Sequence, residues 1–499
     1  MLRMYAAVWV LTVCVVGLPR SFSEEGDGLI FADDFNTFDM STWKHELTMG
    51  GGGNWEFQMY VNSRDNSYVR DGVLFIKPTL TTDVLGESLV RGAGPQWQDN
   101  TVDLWGTGPA NECTGNQFFG CFRTATPTNP INPIRSARIR TADSFAFKYG
   151  RIEVRAALPE GNWLWPAIWM LPKYEAYGPW PASGEIDIME SRGNSPSYTN
   201  AKGQPLGCNT VGSTVHWGPA FGHDAYPLTT STFVHPHSGN GLSKPCRFSS
   251  EFHTFGMVWS PDNMTFFVDD TVTMVVDLSS PTQGTFWERG QRSNFWKDKS
   301  SGNTLNLNEN KGYFRNPWRG GTDHAPFDQE FYIVINLAVG GISGGLSESA
   351  YWPDGRGGKP WSNGVPAGAA SAAYQFLAGE SEWLPTWRGN ATRGESIGES
   401  ASLRIDSIQV WGMTRGSDSS TYSSNVKSTR FESSNDYVAS TPTLAKGQTY
   451  RLVWMRIGVW LGIGCVLGLL FSKMCQRIRL NCLKNRHIPV GPRYGSVAY

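Results

Sequence analysis

The stretch Gly184-Glu185-Ile186-Asp187-Ile188-Met189-Glu190-Ser191 decides the fold, together with the run upstream of it, Asn162-Trp163-Leu164-Trp165-Pro166-Ala167-Ile168-Trp169-Met170-Leu171-Pro172. The alternation of acidic and apolar residues marks Glu185 to Glu190 as a β-strand whose side chains point to two faces in turn. Glu185 and Asp187 then share one face, and Ile186 and Ile188 point into packed protein. Strict alternation would send Glu190 to the apolar side. A bulge at Ile188-Met189 absorbs one residue and returns Glu190 to the acidic face. Three carboxylates in a row repel one another and lose hydration, so folding alone does not favour the arrangement.

Crowded carboxylates separate their pKa values, so that one is ionised while a neighbour keeps its proton near neutral pH. Cleaving a glycosidic bond with retention needs such a pair, an ionised nucleophile and a protonated acid. Glu185 and Glu190 fit the two roles, at the roughly 5–5.5 Å separation that retention requires. Asp187, between them, is expected to hydrogen-bond the nucleophile and help set its charge. The alternative is an ordinary acidic face on an exposed strand, and the neighbouring tryptophans weigh against it.

Several segments carry a family resemblance. They are Tyr149-Gly150-Arg151-Ile152-Glu153-Val154-Arg155, the run from Trp165 to Pro172, the acidic strand, Gly52-Gly53-Asn54-Trp55-Glu56-Phe57-Gln58, Asp71 to Pro78, Thr214-Val215-His216-Trp217-Gly218 and Asn336 to Gly341. Together they resemble glycoside hydrolase family 16, in particular the animal β-1,3-glucanases and the β-1,3-glucan-binding proteins of invertebrate immunity. The resemblance spans Leu29 to Met413. It implies an all-β, concanavalin A-like jelly-roll β-sandwich with a glycan-binding cleft, and a retaining endo-β-1,3-glucanase acting on laminarin-type glucan. It also implies substrate-binding roles for Trp163, Trp165, Trp169, His216, Trp217, Asn62 and Asn336. The binding-protein branch often replaces the catalytic acids; here both glutamates remain. Two alternatives stay open, a surface receptor for β-1,3-glucan with little hydrolysis and a glucan transglycosylase that shares the covalent intermediate.

Composition agrees with a carbohydrate-handling β protein. The 499 residues have a formal net charge of -1 and are 17% charged, against about 25% in typical domains. That balance gives no electrostatic case for a nucleic-acid partner. Twenty-one Trp and 56 Gly suggest a loop-rich fold with aromatic faces that suit sugar rings. Phe252 to Trp259 and Met264 to Asp269 are expected to be paired strands, Phe331 to Val339 a buried central strand, and Arg404 to Trp411 the strand that closes the sandwich. Tyr351 to Asp354, with Trp361, Trp383 and Trp387, is expected to be loop material extending the groove. Strand alternation puts His216 with Thr214 on one face and Trp217 on the other. No His, Cys or acid lies at a metal-like spacing from His216 in the chain, which argues against a zinc site. The family resemblance admits a structural calcium, but no acidic loop specifies one, and no metal ligands and no cofactor are expected.

The ends carry targeting signals. Residues 1–23 read as a signal peptide, with Arg3 ahead of the apolar run from Met4 to Leu18. A family 16-like catalytic domain is expected over residues 24–413, a Ser/Thr-rich stalk over 414–450, a transmembrane helix over 451–472 and a basic cytoplasmic tail over 473–499. This gives a single-pass type I protein of the cell membrane with the catalytic domain outside, its partners being β-glucan and the membrane. Cys113, Cys121, Cys208 and Cys246 are an even set suited to disulfides. Proximity favours Cys113–Cys121 and Cys208–Cys246, with the other two pairings open. Asn263 and Asn390 head glycosylation sequons.

Overall fold

The acidic strand, Glu185–Ser191, lies third in a seven-stranded antiparallel sheet. In order the sheet runs Thr230–Val234, Thr210–His216, Glu185–Ser191, Leu164–Pro172, Phe331–Val339, Arg138–Arg140 and Lys44–His45. Facing it is an antiparallel sheet of eight strands. Its order is Thr271–Asp277, Asn263–Val268, His253–Trp259, Gly150–Ala157, Leu403–Gly412, Val73–Ile76 and Ser67–Arg70, with Leu29–Asp33 paired to Leu403–Gly412. The computed structural model describes residues 28–106, 112–200, 202–236, 246–279, 281–296, 316–342, 351–364, 370–392 and 396–413. Over these the chain is an all-β jelly-roll sandwich.

One core fills the space between the sheets. Ile168, Met170, Ile186 and Ile335 of the first sheet cluster with Ile152, Val154, Met257, Phe266, Ile408 and Val410 of the second. Each such side chain contributes about 1.5–3 kcal/mol on full burial. Phe331–Val339 shows no alternation because it is covered on both faces, with only Tyr332 partly exposed. The strand Leu403–Gly412 is the last of the described strands and completes its sheet from within. It lies inside its sheet, between Gly150–Ala157 and Val73–Ile76, because Leu29–Asp33 and Val73–Ile76 both pair with it.

The late tryptophans are also placed otherwise than expected. Trp352, Trp361, Trp383 and Trp387 are buried and stack around Phe376 and Trp163 instead of lining a groove. Each indole N–H finds a backbone carbonyl, of Gly340, Gly341, Phe376 and Asn162 respectively. With its one polar group satisfied, a Trp ring is free to pack as core.

Largely between Val73–Ile76 and Arg138–Arg140, with residues 49–61 contributing to its core, the chain builds a satellite that no periodic run announces. Short helices Thr82–Leu85 and Glu87–Val90 and a hairpin of Thr101–Asp103 with Phe122–Thr124 surround a small core of Met49, Met59, Val61, Ala125 and Ile131. The Cys113–Cys121 disulfide closes its tip, and Cys208–Cys246 ties the main unit, with Cα–Cα separations of 5.6 Å and 5.3 Å. At the sequons Asn390 is exposed and Asn263 is half-buried. Residues 1–23, the stalk over 414–450, the span over 451–472 and the tail over 473–499 lie outside the described residues. Among the described residues no helix is long and apolar enough to cross a membrane.

Candidate active site

The bulge forms where alternation requires it. Toward Leu164–Pro172, Asp187 pairs with Trp169 and Met189 with Ile168, leaving Ile188 over. Toward Thr210–His216, Asp187 pairs with Thr214 and Glu190 with Gly212, so Ile188 and Met189 together oppose Ser213. The Ser213 hydroxyl fastens the bulge by donating to the Ile188 carbonyl at 2.9 Å. Ile186, Asp187, Ile188 and Met189 are buried, and Glu185 and Glu190 remain partly exposed.

His216 pairs in register with Glu185 and stands between two acids. Its Nε2 lies 3.1 Å from Asp187 Oδ2 and 3.9 Å from Glu185 Oε1. Its Nδ1 lies 2.5 Å from Asp224 Oδ2, while Asp224 Oδ1 accepts the backbone N–H of Trp217 at 3.2 Å. Burial alone would lower the His216 pKa; Asp187 and Asp224, with Glu185 beyond, overturn this and hold it well above its usual value. The ring is therefore an imidazolium that fixes the acids around it. Sequence reasoning does not reach Asp224, because it comes from the turn after the strand and not from the strand itself.

Glu190 is held from its other side. Trp165 Nε1 donates to Glu190 Oε1 at 2.8 Å, and the Trp165 ring stacks on Tyr351 with centroids 3.8 Å apart. The Arg192 guanidinium lies 3.7 Å over the far side of Tyr351 and donates to its carbonyl. Burial raises the Glu190 carboxyl to about 7, Asp187 adds repulsion, and the Trp165 N–H, His216 and Arg192 oppose. Burial lifts Glu185 well above the carboxylate range as well, again with Asp187 adding and His216 opposing. Both carboxyls are thus held above the range of ordinary carboxylates. Glu185 stands higher than an attacking carboxylate does, and the imidazolium beside it is the group that favours its ionised form.

Trp169 and Asn336 continue this surface across the sheet. Trp169 Nε1 donates to Asn336 Oδ1 at 2.7 Å, and the Arg138 guanidinium lies 4.4 Å over the Trp169 ring. Arg138 is paired with Glu46 at 3.2 Å. Three expected binding residues are placed elsewhere. Trp163 is 1% exposed, because its left-handed backbone (φ 73°) precedes the strand and turns the ring into the Tyr198, Trp352 and Trp361 cluster. Trp217 is fully buried against Phe286, Trp296 and Trp318, on the face opposite His216. A ring with no exposed face cannot stack on a sugar. Asn62 is exposed, and its Oδ1 accepts from Arg64 Nη2 at 2.9 Å; no contact among the described residues links it to the carboxylates.

The sequence model of Glycosyl hydrolases family 16 matches residues 125–295, which hold the acidic strand and His216. A β-1,3-glucan-binding protein of Penaeus monodon is 44% identical over 386 residues, 77% of this chain and 90% of its own length. The chain belongs to glycosyl hydrolase family 16. A β-1,3-glucan-binding protein of Tenebrio molitor is 30% identical over 76% of this chain and 64% of its own. The glucan endo-1,3-β-glucosidase A1 of Niallia circulans is 29% identical over 67% of this chain and 37% of its own. This chain thus spans less than two thirds of the length of those two relatives. The laminarinase structure from Rhodothermus marinus aligns over 78% of this chain and 98% of its own, at 21% identity and a TM-score of 0.41.

In this family 16 chain, one group among the described residues comes close enough to hold an ion. Glu185, Asp187 and His216 offer ligand atoms that all lie within 4.8 Å of one another. Spacing along the chain conceals the group, because the fold brings His216 across from the adjacent strand. Both nitrogens of His216 face carboxylates, and its raised pKa favours the protonated ring, so an ion would have to displace a proton to bind there. The arrangement suits proton transfer between oxygens.

Proposed function

We propose that this protein is a retaining endo-β-1,3-glucanase acting on laminarin-type glucan. The observation that carries the reading is the bulged strand, which places Glu185, Asp187 and Glu190 on one face between the His216–Asp224 pair and the Trp165 N–H. Glu185 attacks the anomeric carbon while Glu190 gives its proton to the leaving oxygen; Glu190 then takes a proton from the incoming water, which releases the sugar. His216 favours the ionised form of Glu185 before attack and again as the carboxylate leaves the sugar, while Asp187, which repels that charge, holds the His216 ring beside it. Trp169, with Asn336 holding its indole N–H, offers the sugar a ring face and a polar edge. The catalytic unit is read as facing the cell exterior, behind a leader over residues 1–23 and ahead of a span over 451–472.

A second reading, a β-1,3-glucan receptor without turnover, is favoured by the name of the 44% identical Penaeus relative. Product release from laminarin separates the two, with Glu185→Gln and Glu190→Gln as controls. Short oligosaccharides formed by the native protein and lost in both variants support the glucanase. Tight binding without products supports the receptor. Near-native turnover in either variant would overturn the assigned roles.

A further inference from the structure

The satellite ends in an aromatic tip that the carboxylate site leaves unused. Phe118 and Phe119 are 40% and 70% exposed, and Trp55 beside them is 45% exposed, with its ring 5.5 Å from Phe118 edge to face. All three have left-handed backbones, at φ 53°, 62° and 53° for Phe118, Phe119 and Trp55. Bulky residues rarely adopt that conformation, and water gives no reason to hold apolar rings outward in it.

The protein holds the tip open from beneath. The Cys113–Cys121 disulfide closes the loop, Arg123 Nη2 donates to the Phe118 carbonyl at 2.9 Å, and Met49 N–H donates to the Gly120 carbonyl at 2.8 Å. The Trp55 loop is equally fixed. Asn54 and Gln58 side-chain amides donate to the buried Glu56 carboxylate at 3.1 Å and 2.6 Å. Only glycine fits at Gly52, where a Cβ would lie 2.5 Å from Glu56 Oε1. Rings braced in this way lose little freedom when a flat partner arrives.

The Trp55 loop is also tied to the sheet that carries the cleft. The Asn54 carbonyl accepts from Ile342, Phe57 N–H donates to Val339 O, and Gln58 Oε1 accepts from Val339 N–H. These bonds fasten the loop to the end of the strand that carries Asn336, whose side chain holds Trp169. Arg138, stacked on Trp169, lies between the two regions, and its charge acts on both Glu56 and Glu185.

We infer that Trp55, Phe118 and Phe119 form a second glycan platform, which holds the part of a long β-glucan chain that extends past the carboxylate cleft. The inference rests on the glucan reading of the cleft. Three exposed aromatic rings match the apolar face of a neutral pyranose chain, whereas a lipid surface recruits free basic residues. The Arg123 guanidinium at the tip is instead engaged by the Phe118 carbonyl and by Asn132.

The test uses the full chain carrying Glu185→Gln, so that binding is read without cleavage, with and without Phe118→Gly and Phe119→Gly. Glycine accepts both left-handed backbones, so the tip loses its rings without added strain. Affinities are measured for laminarin and for laminaritriose. The expected result is that the ratio of long-chain to short-chain affinity falls about tenfold in the double-glycine variant. An unchanged ratio overturns the platform while leaving the cleft reading intact. Failure of the parent chain to bind either glucan overturns both. Loss of binding to phosphatidylcholine–phosphatidylserine vesicles with laminarin affinity kept would make the occupant a lipid and overturn the inference.

Discussion

At Glu190 the carboxyl proposed as the acid works against folding. Burial lifts its carboxyl to about 7, so the folded chain holds that proton more tightly than the unfolded chain does. Stability is then lost as pH climbs from the ordinary carboxylate range through 7, and the whole cost is present above it. Glu190→Gln keeps an oxygen for the Trp165 N–H but carries no charge. It is expected to match the native protein in denaturation near pH 4 and to exceed it by roughly 3 kcal/mol at pH 8. Equal stability at both pH values would mean that the carboxylate is well solvated. Asp224→Asn gives the opposite sign on a neighbouring group. The His216 pKa is raised, so its charge is lost as pH rises; removing one of the acids that raise it shifts that loss to lower pH. Because the alkaline limb of kcat/KM follows the Glu190 proton, the His216 change is read from the imidazole signals in an NMR titration. Loss of the ring's charge is expected there at lower pH than in the native protein. A titration that stays put would show that Asp187 alone sets the ring. The face of each acid is legible in the sequence, because a period of two and one bulge suffice to place it. Asp224 is not, since nothing local links a turn residue to His216. The burial of Trp217 follows from alternation, which already places it opposite His216; resemblance alone marks it as a ligand contact. Trp163 is illegible, because a left-handed residue at the strand's start breaks the alternation.

Among the elements, long strands announce themselves and the satellite does not. His253–Trp259, Asn263–Val268 and Phe331–Val339 have dense apolar runs whose burial decides their place. The satellite's helices have four residues each, too short to display a period, so packing and a disulfide define it. The two disulfides should accordingly differ in weight. Cys113–Cys121 joins residues 8 apart and Cys208–Cys246 joins residues 38 apart. Loop-closure entropy assigns them about 2.5 and about 4 kcal/mol respectively. Replacing both cysteines of each pair with alanine and measuring denaturation should show the larger loss for Cys208–Cys246. The reverse order would mean that the tip disulfide supports more of the fold than its own loop.

For the whole molecule, the near-neutral charge and the unit ending near Met413 bear on how the protein is held at its place of action. With a formal net charge of -1, the chain has little general attraction to anionic lipid headgroups. A helix over residues 451–472 would span about 30 Å, the thickness of a hydrocarbon core. Lys473, Arg477, Arg479, Lys484 and Arg486 come next with no acid among them, a pattern that keeps a C-terminal end cytoplasmic. If that segment anchors the protein, the full chain should sediment with membranes, stay there in high salt and leave only with detergent. A chain ending at Met413 should appear in the soluble fraction with unchanged laminarin products and the same melting temperature, because every described strand lies before that residue. Release of the full chain by salt alone would mean that it is held electrostatically through its basic tail. Loss of activity on truncation would mean that the sandwich depends on residues beyond Met413.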